Sequence, residues 1–313
     1  MDRAELQLLE RSVSHAVANN TGAALDAALD QLGWRDAFEA DQRAAVSILF
    51  GRQGAANATS SAIDAVLARA CGTSAPAVVL PALGEWCPPA ALDAQHATIS
   101  GMGTGAIAIN ETVLVVARSE DKDVGSVVAT TELALRPVHG IDPWLGLVEV
   151  HGDVEVGDQR SVDWTAAVAL GQLALGHELV GVGRTMLDLA REHALERIQF
   201  GRPISTFQAV RHRLAEALVA LETADAVLAA AWDDRSPETA AMGKALAGRA
   251  QHTVARHCQQ VLAGIGFTTE HVLHRYVRRG LVLDQLLGSA RSLTRQLGRD
   301  VLDTRRLPAV QPL

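Results

Sequence analysis

Over the first seventy residues the apolar positions recur at helical spacing. Leu6, Leu9, Val13 and Val17 fall at i, i+3, i+7 and i+11, which predicts a helix with one buried stripe. Breaks at Asn19-Asn20-Thr21-Gly22, Gly33-Trp34 and Gly51-Arg52-Gln53-Gly54 divide this zone into short helices. Between 71 and 160 the pattern changes. Pro76, Pro81, Pro88 and Pro89 exclude long helices. The stretches Ala106–Ile109, Val113–Ala117 and Ser126–Ala129 are short and bounded by Gly, Asn or charge, and Leu147–His151 alternates. They read as strands of a small antiparallel unit. Gly101–Gly105 reads as a turn or bulge among them, and the charged run Ser119–Asp123 as a solvated hairpin tip.

From about residue 162 the helical period returns in long segments. Leu173, Val180 and Leu187 recur every seven residues within Ala166–Glu196. Phe207, Val210, Leu214, Leu218, Leu221 and Leu228 share one side of the next helix. Ser236-Pro237 supplies an N-cap and first-turn proline for a third helix running to about Leu262. A fourth covers most of 271–303, after Gly264 and Gly266. Helices of ~30 residues are ~45 Å long, and four of them joined by short loops make an antiparallel bundle. The expected fold is α+β, mainly α: an N-terminal helical domain (1–70), a reduced antiparallel β domain (71–160) and a C-terminal four-helix bundle (161–313).

Composition narrows the function classes. A length of 313 residues with 48% hydrophobic content allows a large core and excludes a disordered chain. No uninterrupted apolar run approaches the ~20 residues of a membrane span, and Met1–Leu6 lacks the basic and apolar regions of a signal peptide. A net charge of −8 argues against a general nucleic-acid binder. Cys71, Cys87 and Cys258 are too few and too scattered for a disulfide framework or zinc knuckle. The expectation is a soluble cytoplasmic protein without nucleic-acid or membrane partners.

Several motifs have bland readings. Gly101-Met102-Gly103-Thr104-Gly105 lacks the spacing and strand–helix setting of a phosphate cradle. The pairs His252/His257 and His271/His274 have no accompanying metal-ligand signature. No GxSxG elbow exists. Two segments are more specific. Arg197-Ile198-Gln199-Phe200-Gly201-Arg202-Pro203-Ile204 with Gln208 reads as a helix-to-helix corner, Gly201 at the C′ position and Pro203 near the new start. A corner does not call for an arginine, two amides and an aromatic ring, which suit a phosphate and a flat heterocycle. The second segment, Gln260–Glu270, contains Gly264 and Gly266, where backbone can approach a ligand closely.

Together, about sixty residues apart, these segments resemble the acyl-CoA dehydrogenase family, whose Ala-x-x-Arg-x-x-Phe-Gly type signature stands here as Ala194–Gly201. The resemblance continues into the Arg278-Arg279 helix and matches the family's helical–β–helical order in shortened form. It implies oxidation of the Cα–Cβ bond of an acyl-CoA thioester, with FAD as hydride acceptor and a glutamate removing the α-proton. The family's flavin lies between subunits, so the resemblance implies that Arg197 meets the flavin pyrophosphate. Gln199, Phe200, Ile204 and Gln208 would line the adenosine end, and Gln260 with Gly264 would contact the same cofactor.

The departures matter as much. Nothing between 71 and 160 matches the family's Thr-Glu-Pro…Gly-Ser-Asp type loop. One position for the family's base, seventeen residues after Glu270, is occupied by Leu287, followed by Gly288. The other, twenty-six residues before Arg197, is Gly171, followed by Gln172 where an arginine is usual. Neither leucine nor glycine can accept a proton. Glu178 and Glu270 are the nearest carboxylates, and capping or pairing with Arg275 or Arg278 is the favoured role for each. The pattern resembles the non-catalytic chain of actinobacterial heteromeric enzymes, α2β2 assemblies with half as many flavins as subunits. That implies a homologous partner supplying the glutamate, an open substrate cavity, an electron-transfer flavoprotein or similar acceptor, and a steroid (cholesterol) side-chain CoA ester as substrate. Arginine replacing lysine nearly everywhere, with Lys122 and Lys244 the only lysines, fits a GC-rich actinobacterial genome. The alternatives are a self-sufficient dehydrogenase with a relocated base and a non-enzymatic helical scaffold.

Overall fold

The computed structural model describes residues 1–120, 122–234 and 236–305. Five helices come first: α1 (Arg3–Asn19), α2 (Ala23–Gln31), α3 (Trp34–Ala40), α4 (Gln42–Ala56) and α5 (Ala62–Ala70). A reciprocal capping box between Asp2 and Glu5 starts α1, satisfying backbone donors that a helix otherwise leaves open. The expected break at Gly51–Gly54 is absent, because both glycines lie inside α4. They serve packing instead. A Cβ on Gly54 would collide with the Glu178 carbonyl, and one on Gly181 with that of Gly51.

The middle of the chain forms a seven-stranded sheet ordered β5-β6-β2-β1-β3-β4-β7. Its strands are β1 (Ala90–Asp93), β2 (His96–Gly103), β3 (Thr112–Ser119), β4 (Lys122–Ala129), β5 (Ala134–Pro137), β6 (Val148–Glu155) and β7 (Arg160–Ser161). It is not wholly antiparallel, since β1 pairs with β3 in parallel. Val113–Ala117 reads as an apolar run because β3 is buried on both faces. Leu114 and Val116 join the main core, while Val113, Val115 and Ala117 join a second core within the sheet region. Two expectations fail here. Ala106–Ile109 is not a strand: Gly105–Ala108 is a 3-10 turn. Gly101 and Gly103 are not a turn but lie in β2. A Cβ on Gly101 would strike the Leu80 carbonyl, so glycine there permits close strand approach. Ser119 and Lys122 pair at the tip of the β3–β4 hairpin as expected; Asp121 lies outside the described residues.

Helix α6 (Trp164–Glu196) is the central post, contacting α4, α5, α7 (Gln208–Asp234), α8 (Pro237–Leu262) and α9 (Leu273–Gln285). By length and composition α6 could cross a bilayer, yet 83% of its most apolar stretch is buried by the protein. Ser236 caps α8 as predicted. On α7, Leu221 and Leu228 are buried but Leu218 is exposed, so the buried stripe is narrower than the apolar pattern. The expected fourth long helix is divided: α9 stops at Gln285 and α10 (Ala290–Thr304) begins after Leu286–Ser289. Positive φ at Leu287 (53°) and Gly288 (95°) makes this break.

Candidate functional site: an exposed corner and a closed base position

After α6 the chain forms a miniature hairpin, β8 (Ile198–Gln199) with β9 (Arg202–Pro203). Phe200 and Gly201 turn it with φ of 52° and 76°. Two successive positive φ values define a tight hairpin turn of the primed kind. This replaces the expected helix-to-helix corner: Pro203 sits in β9 and α7 starts only at Gln208. Left-handed backbone at a phenylalanine costs on the order of 1 kcal/mol, and the ring gains no burial in return, being 91% exposed. It meets Phe207 edge-on at 6.1 Å, and the Arg202 guanidinium lies 4.5 Å from the Phe207 ring centre.

Arg197, Gln199 and Gln208 are exposed around this turn, with Ile204 half-buried. The Arg197 guanidinium forms no ion pair among the described residues, while the Gln208 amide reaches His212 at 3.4 Å. Gln260 is exposed on the last turn of α8, and Gly264 lies in the following 3-10 turn with open space where its Cβ would be. Gly266 differs. It is buried, and its missing Cβ makes room for Leu262. The field of His271 reaches His193, one turn before Arg197, so the two segments lie near each other. An unpaired arginine, exposed amides and the exposed rings of Phe200 and Phe267 fit one side of a dinucleotide site, open on its other side.

Both base positions meet inside the molecule. A Cβ on Gly171 would lie 2.5 Å from Leu287 Cδ1, 3.0 Å from Leu67 Cδ2 and 3.6 Å from Ile63 Cδ1. Gln172 donates to the Leu287 carbonyl at 3.0 Å. The position is thus filled with leucine and isoleucine carbon and holds no carboxylate. The segment 81–88 closes over it. Gly84 N–H donates to the Gln285 carbonyl at 2.8 Å, Ser292 donates to the Gly84 carbonyl, and the Trp164 indole donates to the Trp86 carbonyl. The Trp86 ring lies 3.0 Å from where a Cβ on Gly288 would stand. The hydrocarbon packed against Gly171 leaves no space for an added side chain at the base position. A cavity of about 200 Å³ outside it is lined by Trp86, Trp164, Arg118 and Gln172, but not by Gly171 or Leu287.

The two carboxylates considered as relocated bases lie elsewhere. Glu270 is exposed in the turn before α9, with no ion pair to Arg275 or Arg278 among the described residues. Glu178 is buried, and its Oε1 stands 3.9 Å from Arg279 Nη1 rather than lining a cavity. Burial pushes its carboxyl up to about 7, against the opposing field of Arg279. No cluster of three or more His, Cys, Asp or Glu side chains suited to a metal occurs among the described residues.

Sequence reading missed the polar interior. Arg279 is buried and bonded to Asp142 (2.5 Å), the Ala58 carbonyl and Thr59. Lys244 is equally buried, donating to the carbonyls of Asp284 and Gly288 at 3.0 Å each. Asp64 accepts from Val78 N–H and Thr104. One signal was available: Lys244 is the one charged residue at 240–248, where the other positions are alanine, glycine, Met242 and Leu246.

The helical–sheet–helical architecture is the acyl-CoA dehydrogenase fold. The model of the acyl-CoA dehydrogenase C-terminal domain matches residues 164–302. Acyl-CoA dehydrogenase IpdE2 of Mycobacterium tuberculosis is 31% identical, the match covering 96% of this chain and 98% of that protein. The chain belongs to the acyl-CoA dehydrogenase family, whose members are FAD-dependent oxidoreductases. Among solved structures, a Tcur3481–Tcur3483 steroid ACAD variant superposes with a TM-score of 0.79 at 21% identity, covering 96% of this chain and 98% of that one. The ChsE4–ChsE5 complex from Mycobacterium tuberculosis gives 0.75 at 22%, covering 99% of each chain.

Proposed function

We propose that this chain is the subunit without a base in a heteromeric FAD-dependent acyl-CoA dehydrogenase. The observation that carries the reading is the contact of Gly171 with Leu287, which fills the family's two base positions with hydrocarbon. An α-proton of a thioester is a weak acid, and its removal needs a positioned carboxylate. A homologous partner chain supplies that glutamate, the β-domain flavin contacts and most of the acyl pocket. This chain supplies the outer corner. Arg197 binds the FAD pyrophosphate, Gln199, Phe200, Ile204 and Gln208 surround the adenosine end, and Gln260 and Gly264 complete the contact. FAD, when bound, provides the acceptor for the β-hydride. An electron-transfer flavoprotein or similar acceptor then takes the electrons in the cytoplasm. The assembly is α2β2, with boundaries near 70 and 160 separating the helical, β and bundle domains. The Tcur3481–Tcur3483 neighbour is a steroid ACAD, which supports a steroid CoA ester as substrate, with the side-chain ester as the specific proposal.

The test is purification of the chain alone and co-expressed with a neighbouring dehydrogenase-like gene, recording native mass and flavin per chain. A colourless chain alone and a yellow complex with about one flavin per two chains are expected. An active, fully flavinated homodimer would overturn the reading. In the complex, Arg197→Ala removes a charge-assisted phosphate contact of about 1.5–3 kcal/mol, weakening FAD binding by roughly one to two decades.

A further inference from the structure

We propose that Glu178 carries a proton in the folded subunit, and that its ionisation draws Arg279 away from Asp142 and releases the 139–146 loop. Charge counting leads there first. Arg279 is one guanidinium facing two carboxylates, all three side chains at most 2% exposed. Three of its five N–H donors are engaged: Nε by Asp142 Oδ2 at 2.5 Å, Nη1 by the Ala58 carbonyl at 2.6 Å, Nη2 by Thr59 at 3.0 Å. Asp142 and Arg279 therefore close as a neutral pair. Glu178 stands 3.9 Å from Nη1, and its Oε1 is buried without a hydrogen-bond partner. A second anion there would be an uncompensated buried charge, which interiors avoid by binding a proton.

The neighbours of Glu178 are few. From α9 it faces Arg279, with Tyr276 one turn away donating to the Ala55 carbonyl. From the loop comes Asp142, and from α4 the neutral Gln53. The only cation among them is the one already paired with Asp142. When Glu178 loses its proton, the two carboxylates compete for Arg279. Glu178 sits mid-helix in the core and cannot follow its charge into water. Asp142 is held on a surface loop and can.

That loop is poised for release. Its inner side is fixed by the Asp142–Arg279 pair and by Thr59 donating to the Trp144 carbonyl at 3.1 Å. Asp142 also accepts from Trp144 N–H, capping the 3-10 turn Pro143–Leu145. Its outer side carries the exposed Ile141 and Trp144, with the Arg275 guanidinium 5.6 Å from the indole. Losing the buried pair removes the inner anchor and the loop leaves its seat on α9. The switch joins α6, α9 and the sheet region, and is independent of where the flavin binds.

Hydrogen exchange of the full-length chain, corrected for intrinsic rates between pH 5.5 and 8.5, reads the switch. The amides of Leu145 and Gly146, bonded to the carbonyls of Asp142 and Pro143, should lose protection by up to about tenfold per pH unit as pH rises toward about 7, and level off above it. Glu178→Gln should hold their protection high at every pH, and Asp142→Asn should leave it low throughout. Flat protection in the unmodified chain, or pH dependence surviving in Glu178→Gln, overturns the proposal. Infrared spectroscopy of Asp64→Asn gives a second reading that does not depend on the Glu178 variant folding. A protonated carboxylic-acid band should be present at pH 6 and vanish as the loop amides lose protection; its absence at pH 6 overturns the proposal.

Discussion

At the residue scale, single atoms set what this subunit tolerates. A methyl group on Gly54 would meet the Glu178 carbonyl, whereas Gly51 has open space around its own Cβ. Gly54→Ala should therefore destabilise by about 1–3 kcal/mol through overpacking. Gly51→Ala should gain up to about 1 kcal/mol of helix propensity. Urea midpoints of the two variants would show opposite signs. Asp64 supplies a pH-dependent test. Burial raises its carboxyl from 3.8 to about 7, so the folded chain holds a proton that the unfolded chain has released. Its contribution is complete below pH 3.8, declines as pH rises through 7, and is then lost. Asp64→Asn should flatten that decline and raise the melting temperature at pH 8 more than at pH 5. None of these carboxyl shifts was legible beforehand, because a lone Asp or Glu in a helix has no periodic partner to betray its burial.

At the element scale, the joint between α9 and α10 depends on a buried lysine. Lys244 holds the carbonyls of Asp284 and Gly288, and Asp284 in turn accepts from Ala290 N–H and lies 3.5 Å from His252. Lys244→Met keeps the apolar stem but leaves the Asp284 and Gly288 carbonyls without their donor. A loss of about 2–4 kcal/mol in unfolding free energy is expected, measured by denaturant titration at pH 7. The long helices were readable from period alone, since their apolar stripes run for many turns. The break at Leu286–Ser289 was not, because it rests on positive φ at a leucine, a residue with no turn preference. The Gly51–Gly54 pair misled for the converse reason: glycine marks either a chain turn or a close helix crossing, and only the partner helix distinguishes them.

At the scale of the whole molecule, the exposed corner and the closed interior belong together. Phe200 is 91% exposed at φ 52°, a costly arrangement for an isolated chain and a useful one for an aromatic anchor at an interface. Phe200→Gly should relieve backbone strain, leaving the subunit as stable or more so. The same change should weaken assembly with the proposed partner and its flavin content. Equilibrium unfolding of the variant and sedimentation of the co-expressed complex would separate the two effects. A complex of undiminished affinity and full flavin content would show that the ring is not an anchor.

The sequence by itself determined the order of helices, strands and helices, the capping of α8, the corner residues and the absence of glutamate at Gly171 and Leu287. Each is a property of local pattern or of residue identity, which neighbours along the chain suffice to express. Tertiary structure alone decided that these two positions touch, that Leu67, Ile63 and Trp86 fill the surrounding space, and that Arg279 is shared by two carboxylates. Such contacts join residues as far apart as Asp142 and Arg279. Their chemistry follows from desolvation, which depends on what surrounds a group in space rather than on what precedes it in the chain.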